Sequence, residues 1–154
     1  PYAAQTYANV PERVISVAWL RMKDDTRGFH SMMAIPAELF LRRTSDGIRL
    51  AFQPVRELDA VRGEPLFLPR RSDSAEFPLT AENARLHIQP VLGQDAVDAH
   101  LDVNEPIRVI LDRGVIEVFA NGGTFWAALE AEGDLLTKTV SIAGAEGLKV
   151  YPLH

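Results

Sequence analysis

Glu117 interrupts an otherwise apolar run in DRGVIEVFANGGTFW (112–126), and Asp24-Asp25 stands among charged neighbours; paired-carboxylate chemistry would be sought at these acids. Such hydrolysis needs two carboxyls aimed at one bond, roughly 5 Å apart for retention and roughly 6.5 to 9.5 Å for inversion. A linear sequence does not display that separation. Glu117 lies one cross-strand diagonal from Arg108, and an ion pair on a sheet face is the ordinary fate of such a residue, so a structural charge is expected. Asp24-Asp25 reads as a solvated loop. His30, His87, His100 and His154 are far apart and lack the i, i+4 spacing of a helix-borne metal pair, so neither a metal site nor a cofactor is expected. The absence of cysteine excludes disulfides, thiolate catalysis and cysteine zinc sites together. No glycine-rich phosphate loop or nucleophile elbow is present. Trp126, beside Arg108, Glu117 and Phe119, is either a platform on which sugars stack or a patch where another domain docks. Ile110 and Phe119 add apolar area that a saccharide site does not need, which favours docking.

These residues are positioned by strands. Alternation of period two dominates and turn signals recur at strand-like intervals, which predicts an all-β chain. RVISVAWLRM (13–22) is apolar on both faces and should be covered on both. Pro36 breaks the next extended stretch, and Asp46-Gly47 marks a hairpin turn. In ARLHIQPVL (84–92), Leu86 and Ile88 are expected inward and His87 and Gln89 outward. The three-proline stretch 64–80 reads as loop with short strand pieces, and 93–106 is ambiguous between turn and weak strand.

Two turn signals fix a register around Glu117. If Arg113-Gly114 is a two-residue loop, Glu117 faces Ile110 and Phe119 faces Arg108. If Asn121-Gly122 is another, Glu117 faces Trp126 and Val118 faces Phe125. Val109, Leu111, Val118 and Phe125 then form the expected core, and Arg108, Ile110, Asp112, Glu117, Phe119 and Trp126 form a mixed outer face.

Composition narrows the function classes. The chain of 154 residues, 47% hydrophobic and 24% charged, suits one soluble globular domain, with no apolar run long enough to span a bilayer. A net charge of −5 argues against a nucleic-acid partner, because the arginines between Arg42 and Arg71 are interleaved with acids and apolar residues. PYAAQTYANVP has neither the basic start nor the apolar core of a signal peptide.

Four stretches carry a resemblance: YAAQTY (2–7), AWLRM (18–22), MAIPAELFLRRTSDGIRLAFQPVRELDAVR (33–62) and IRVILDRGVIEVFANGG (107–123). In that order they resemble the end of the catalytic domain and the C-terminal domain of glycoside hydrolase family 32, the levanases, inulinases and invertases acting on β-fructosides. The resemblance implies a five-bladed catalytic propeller joined to an antiparallel β-sandwich of jelly-roll or concanavalin-like form, with 1–22 a remnant of the last propeller blade and 23–154 the C-terminal sandwich. Fewer strands than usual are expected between Thr80 and Pro106. The family's W-x-N-D-P-N-G, R-D-P and E-C motifs do not occur in this sequence. Ala37 stands where the family often has arginine, and Glu117 matches the glutamate of its V-E-V-F pattern, a sandwich residue. The chain is therefore expected to be non-catalytic on its own, to support a propeller and to contact fructan; the alternative is a free-standing carbohydrate-binding module. Expected partners are the propeller domain, a second copy of the chain, or a carbohydrate, with no nucleic acid and no membrane. Carbohydrate-binding or domain-docking candidates are Trp126, Glu117, Arg108 and Phe119. An extracellular or periplasmic setting follows from the resemblance alone.

Overall fold

The computed structural model describes residues 1–23, 28, 30–66, 70–71, 74–78, 85–92, 101–102, 104–131, 139–143 and 145–154. Asp24-Asp25, His100 and the turn at 93–100 lie outside the described residues. The chain is all-β and antiparallel, as its alternation predicts.

A first sheet is built from β1 (Tyr2–Thr6), β2 (Val14–Leu20), β3 (Met32–Met33), β4 (Ala37–Thr44) and β5 (Gly47–Pro54). Its order is β1-β2-β4-β5, with β3 also paired to β2. The 13–22 run does form a strand, but its two faces are not equally covered. Ala18 and Leu20 are buried and Val14 on the same side is exposed, while Ile15 on the opposite face is buried. The hairpin turn falls at Ser45-Asp46, since Thr44 pairs with Gly47. Gly47 supplies the positive φ at the start of β5, and Thr44 Oγ1 accepts the Asp46 N–H at 3.2 Å. The sequence signal was one residue out of phase because glycine serves here after the turn rather than inside it.

A short 3₁₀ turn, Arg56–Val61, leads away from β5. Beyond it are β6 (Arg70–Arg71), β7 (Ser74–Pro78), β8 (Arg85–Leu92), β9 (Arg108–Asp112), β10 (Val115–Ala120), β11 (Phe125–Glu130), β12 (Thr139–Ala143) and β13 (Ala145–Pro152). The second sheet runs β11-β10-β9-β8-β13, and β12-β7-β6 form a third, smaller one.

Around Glu117 the first register is as expected: Asp112 pairs with Val115, Ile110 with Glu117 and Arg108 with Phe119. Arg113 and Gly114 both take positive φ, as a tight two-residue hairpin requires. The second loop differs. Ala120 pairs with Phe125, so 121–124 form a four-residue connection and Phe119, not Glu117, faces Trp126. Asn121, Gly122 and Gly123 all take positive φ, and Thr124 closes the turn by donating its N–H to the Asn121 carbonyl at 3.2 Å. Lengthening by two residues moves each partner by two, which leaves every side chain on its expected face.

What reverses is which face is inside. Ala18, Leu20, Met22, Ala34, Val115, Trp126 and Ala128 cluster between the two large sheets, as do Ala37, Ile110, Phe119 and Phe52. The mixed face of the second sheet is thus an interior face, not an outer one. Its other face holds a separate core of Leu86, Ile88, Leu111 and Val150; Val109 and Ile116 pack at its margin, and Val118 and Phe125 are only half-buried.

Gly123 locks the four-residue loop to the first sheet. At φ +92°, a Cβ there would lie 2.7 Å from the Phe52 carbonyl oxygen. Gly123→Ala is expected to cost about 2 to 3 kcal/mol, because it combines a left-handed backbone with an immovable backbone neighbour. A urea midpoint unchanged from the parent chain would contradict that packing.

Candidate functional site: a polar seam between the sheets

Cross-strand pairing aligns Tyr151, His87, Ile110, Glu117 and Ala128 in one row across the second sheet, with Arg108, Phe119 and Trp126 in the row beside it. Glu117, Phe119 and Trp126 pack toward the first sheet, and His87, Arg108 and Tyr151 toward Asp59 and Arg62 of the following turn, so polar groups expected at a surface lie in a seam.

Glu117 is 3% exposed. Its Oε1 accepts the backbone N–H of Ile35 at 2.7 Å, and its Oε2 accepts the indole Nε1–H of Trp126 at 3.0 Å. Ile35 lies between β3 and β4, so the carboxylate joins the two sheets. The expected ion pair with Arg108 is not what Glu117 makes. Burial raises its pKa, the two donated hydrogen bonds oppose that, and Asp112 adds to the rise. A carboxylate with both oxygens engaged inside the protein acts as a clamp rather than as a general acid facing a substrate.

Trp126 belongs to the same clamp. Its ring stacks on Phe119, with centroids 5.9 Å apart and planes 12° apart, and leans on Phe52 of β5 at 5.2 Å. Phe119 is buried. The outer-face reading of Trp126, Glu117 and Phe119 is corrected: the indole N–H of Trp126 is spent on Glu117, the carboxylate of Glu117 on Trp126 and Ile35, and the Trp126 ring packs on Phe52 and Phe119. The docking that this face supports is that of one sheet on the other.

Arg108 belongs to a second cluster that sequence reasoning missed. His87, expected outward, is fully buried. Arg62 points its Nε–H at His87 Nδ1, 2.9 Å away, and Arg108 points its own at Nε2, 3.0 Å away. Both guanidiniums also donate to Asp59 Oδ1, at 2.6 and 2.8 Å. The Arg62 guanidinium lies 4.9 Å over the Tyr151 ring. Burial, then the positive charges of Arg108 and Arg62, hold the imidazole neutral and push its pKa down to about 3. Nothing in the local pattern at His87 pointed to this, because its partners come from residues 59–62 and 108.

Among the described residues no group of histidines and acids is arranged to hold a metal ion, and no helix is long and apolar enough to cross a membrane. The fold and seam define a class of structure in which two large antiparallel sheets are clamped through buried polar contacts. No family model matches the chain. It is 25% identical to a sucrose-6-phosphate hydrolase of Vibrio alginolyticus over an alignment covering 99% of this chain and 38% of that protein. A levanase of Bacillus sp. (strain L7) is 30% identical over 88 residues, 53% of this chain and 9% of that protein. The fold matches a glycoside hydrolase family 32 structure from Bifidobacterium adolescentis with a TM-score of 0.67 at 20% identity, over 99% of this chain and 31% of that one. The chain is related to glycoside hydrolase family 32, as its motifs suggested, and spans well under half the length of these relatives.

Proposed function

We propose that the chain is a non-catalytic part of a β-fructosidase-like hydrolase, and that it braces a propeller catalytic domain supplied by the rest of such an enzyme. The observation that carries this reading is where apolar surface stays open. Among the described residues, every exposed large hydrophobic residue other than Tyr7, Val61 and Leu129 lies on a strand of the first sheet: Tyr2, Val14, Met33, Leu41, Ile48 and Leu50. Leu41 is 72% exposed and pairs with Leu50, and Ile48 follows on the same side of that hairpin. Such a patch marks an interaction surface. The partial coverage of the relatives supports a partner from the same enzyme.

The boundary between the portions is also a proposal. β2 pairs with β4, so residue 22 does not separate two sheets. Apart from the two-residue β3, which pairs with β2 off the main path, the order β1-β2-β4-β5 is that of a four-stranded antiparallel propeller blade. The first sheet as a whole is then the last blade, the turn at Arg56–Val61 is the junction, and the Glu117 seam is the joint between blade and sandwich.

The test is reconstitution. The propeller portion of a levanase, produced separately, is mixed with this chain and examined by sedimentation and heat inactivation. Binding that protects the propeller, and that weakens on Leu41→Asp or Leu50→Asp, is the expected result. Equal behaviour of parent and variant chains would contradict the assignment of that surface.

A further inference from the structure

The cluster around His87 has more donors than acceptors. A neutral imidazole carries one lone-pair nitrogen, yet two guanidinium Nε–H groups are aimed at its two ring nitrogens. One of them therefore meets an N–H and has no acceptor there. Among the described residues the carboxylate oxygen answering the two cations is Asp59 Oδ1, which both share, so the group of Arg62, Arg108, His87 and Asp59 carries one net positive charge. The arginine side chains are 18% and 20% exposed, held by stacking on Tyr151 and by the imidazole, while Asp59 is 51% exposed. The two cations are mostly covered, and the anion between them is the most exposed member of the group.

We propose that Arg62 and Arg108, oriented by His87, form a binding site for a small tetrahedral oxyanion such as phosphate or sulfate, and that Asp59 occupies it when no such ion is present. Guanidinium pairs suit this ligand because each presents parallel N–H donors to two oxygens. The oxyanion supplies several acceptors where Asp59 supplies one shared oxygen, and it removes the mismatch at the imidazole by drawing one guanidinium off the protonated nitrogen. The inference does not depend on the propeller partner.

The test uses the full chain with inorganic phosphate, and separately sulfate, titrated by calorimetry and thermal unfolding against sodium chloride of equal ionic strength. Saturable binding of one ion per chain with a rise in Tm beyond the chloride control is expected. Asp59→Asn should tighten that binding about two- to fivefold, the factor set by the partly exposed ion pairs the oxyanion no longer displaces. Arg108→Gln should abolish it, and Arg42→Gln, which alters a distant pair with Glu105, should leave it unchanged. No saturable binding by the parent chain, or affinity unaffected by Asp59→Asn and Arg108→Gln, overturns the proposal. Asp59→Asn lies at an exposed turn and keeps the test valid should Arg108→Gln fail to fold.

Discussion

Glu117→Ala should lower the stability of the chain by about 3 to 4 kcal/mol, because it strips the acceptors from two donors in the seam at once. Ile35 N–H and Trp126 Nε1–H have no substitute partner among their described contacts, and the site is closed to bulk water. Glu117→Gln keeps one acceptor oxygen but turns an amide N–H₂ toward a donor, and should cost about 1 to 3 kcal/mol. An exposed ion pair with Arg108, which the sequence suggested, would make the same change worth only about 0.5 kcal/mol. Chemical denaturation separates the two accounts, and a loss below about 0.5 kcal/mol in Glu117→Ala would rule out the clamp.

Acidification should weaken the fold through His87. In the unfolded chain its imidazole takes a proton near the ordinary value of 6.5, whereas in the folded chain it stays neutral down to about 3. Between those values the unfolded state binds the extra proton, so stability is fully present above pH 6.5 and is lost as pH falls toward 3. The slope is about 1.4 kcal/mol per pH unit, which amounts to a loss on the order of 3 kcal/mol from pH 6.5 to 4.5. Glu117 works in the opposite direction. Its raised folded pKa means that the folded state takes the proton first, so falling pH relieves a cost that is present above that pKa. His87→Gln retains an acceptor and removes the imidazole titration, so the loss of stability between pH 6.5 and 4.5 should disappear. Parallel pH profiles for parent and variant would exclude His87 as the source of the acid loss.

Much of the strand framework was legible because it rests on local chemistry. Arg113-Gly114 set the β9–β10 register, and the parity of Trp126 survived an error in loop length because the loop grew by an even number of residues. The length itself was misread: Asn-Gly usually signals a two-residue turn, but the next glycine, Gly123, also takes positive φ and presses on Phe52. The inside of the second sheet was misread for a different reason. Both of its faces carry apolar residues, and polar ones such as His87 and Glu117 were assigned to solvent by the rule that buried polar groups are uncommon. That rule yields wherever partners are supplied, and here the partners are a backbone N–H at Ile35 and guanidiniums at Arg62 and Arg108, remote in sequence. The family motifs reached further than the periodicity, since the order of four matched stretches indicated the enzyme relatives before the seam could be seen.

The proposal that this chain supports catalysis without performing it is tested most directly by fructose release from sucrose, inulin and levan by the chain alone. Glu117, the acid on the V-E-V-F pattern, is buried with both carboxylate oxygens taken by Ile35 N–H and Trp126 Nε1–H, which leaves neither oxygen free to face a substrate. The expected result is no fructose above the buffer blank with any of the three substrates. Reproducible turnover that disappears on replacing a single aspartate or glutamate would contradict the account.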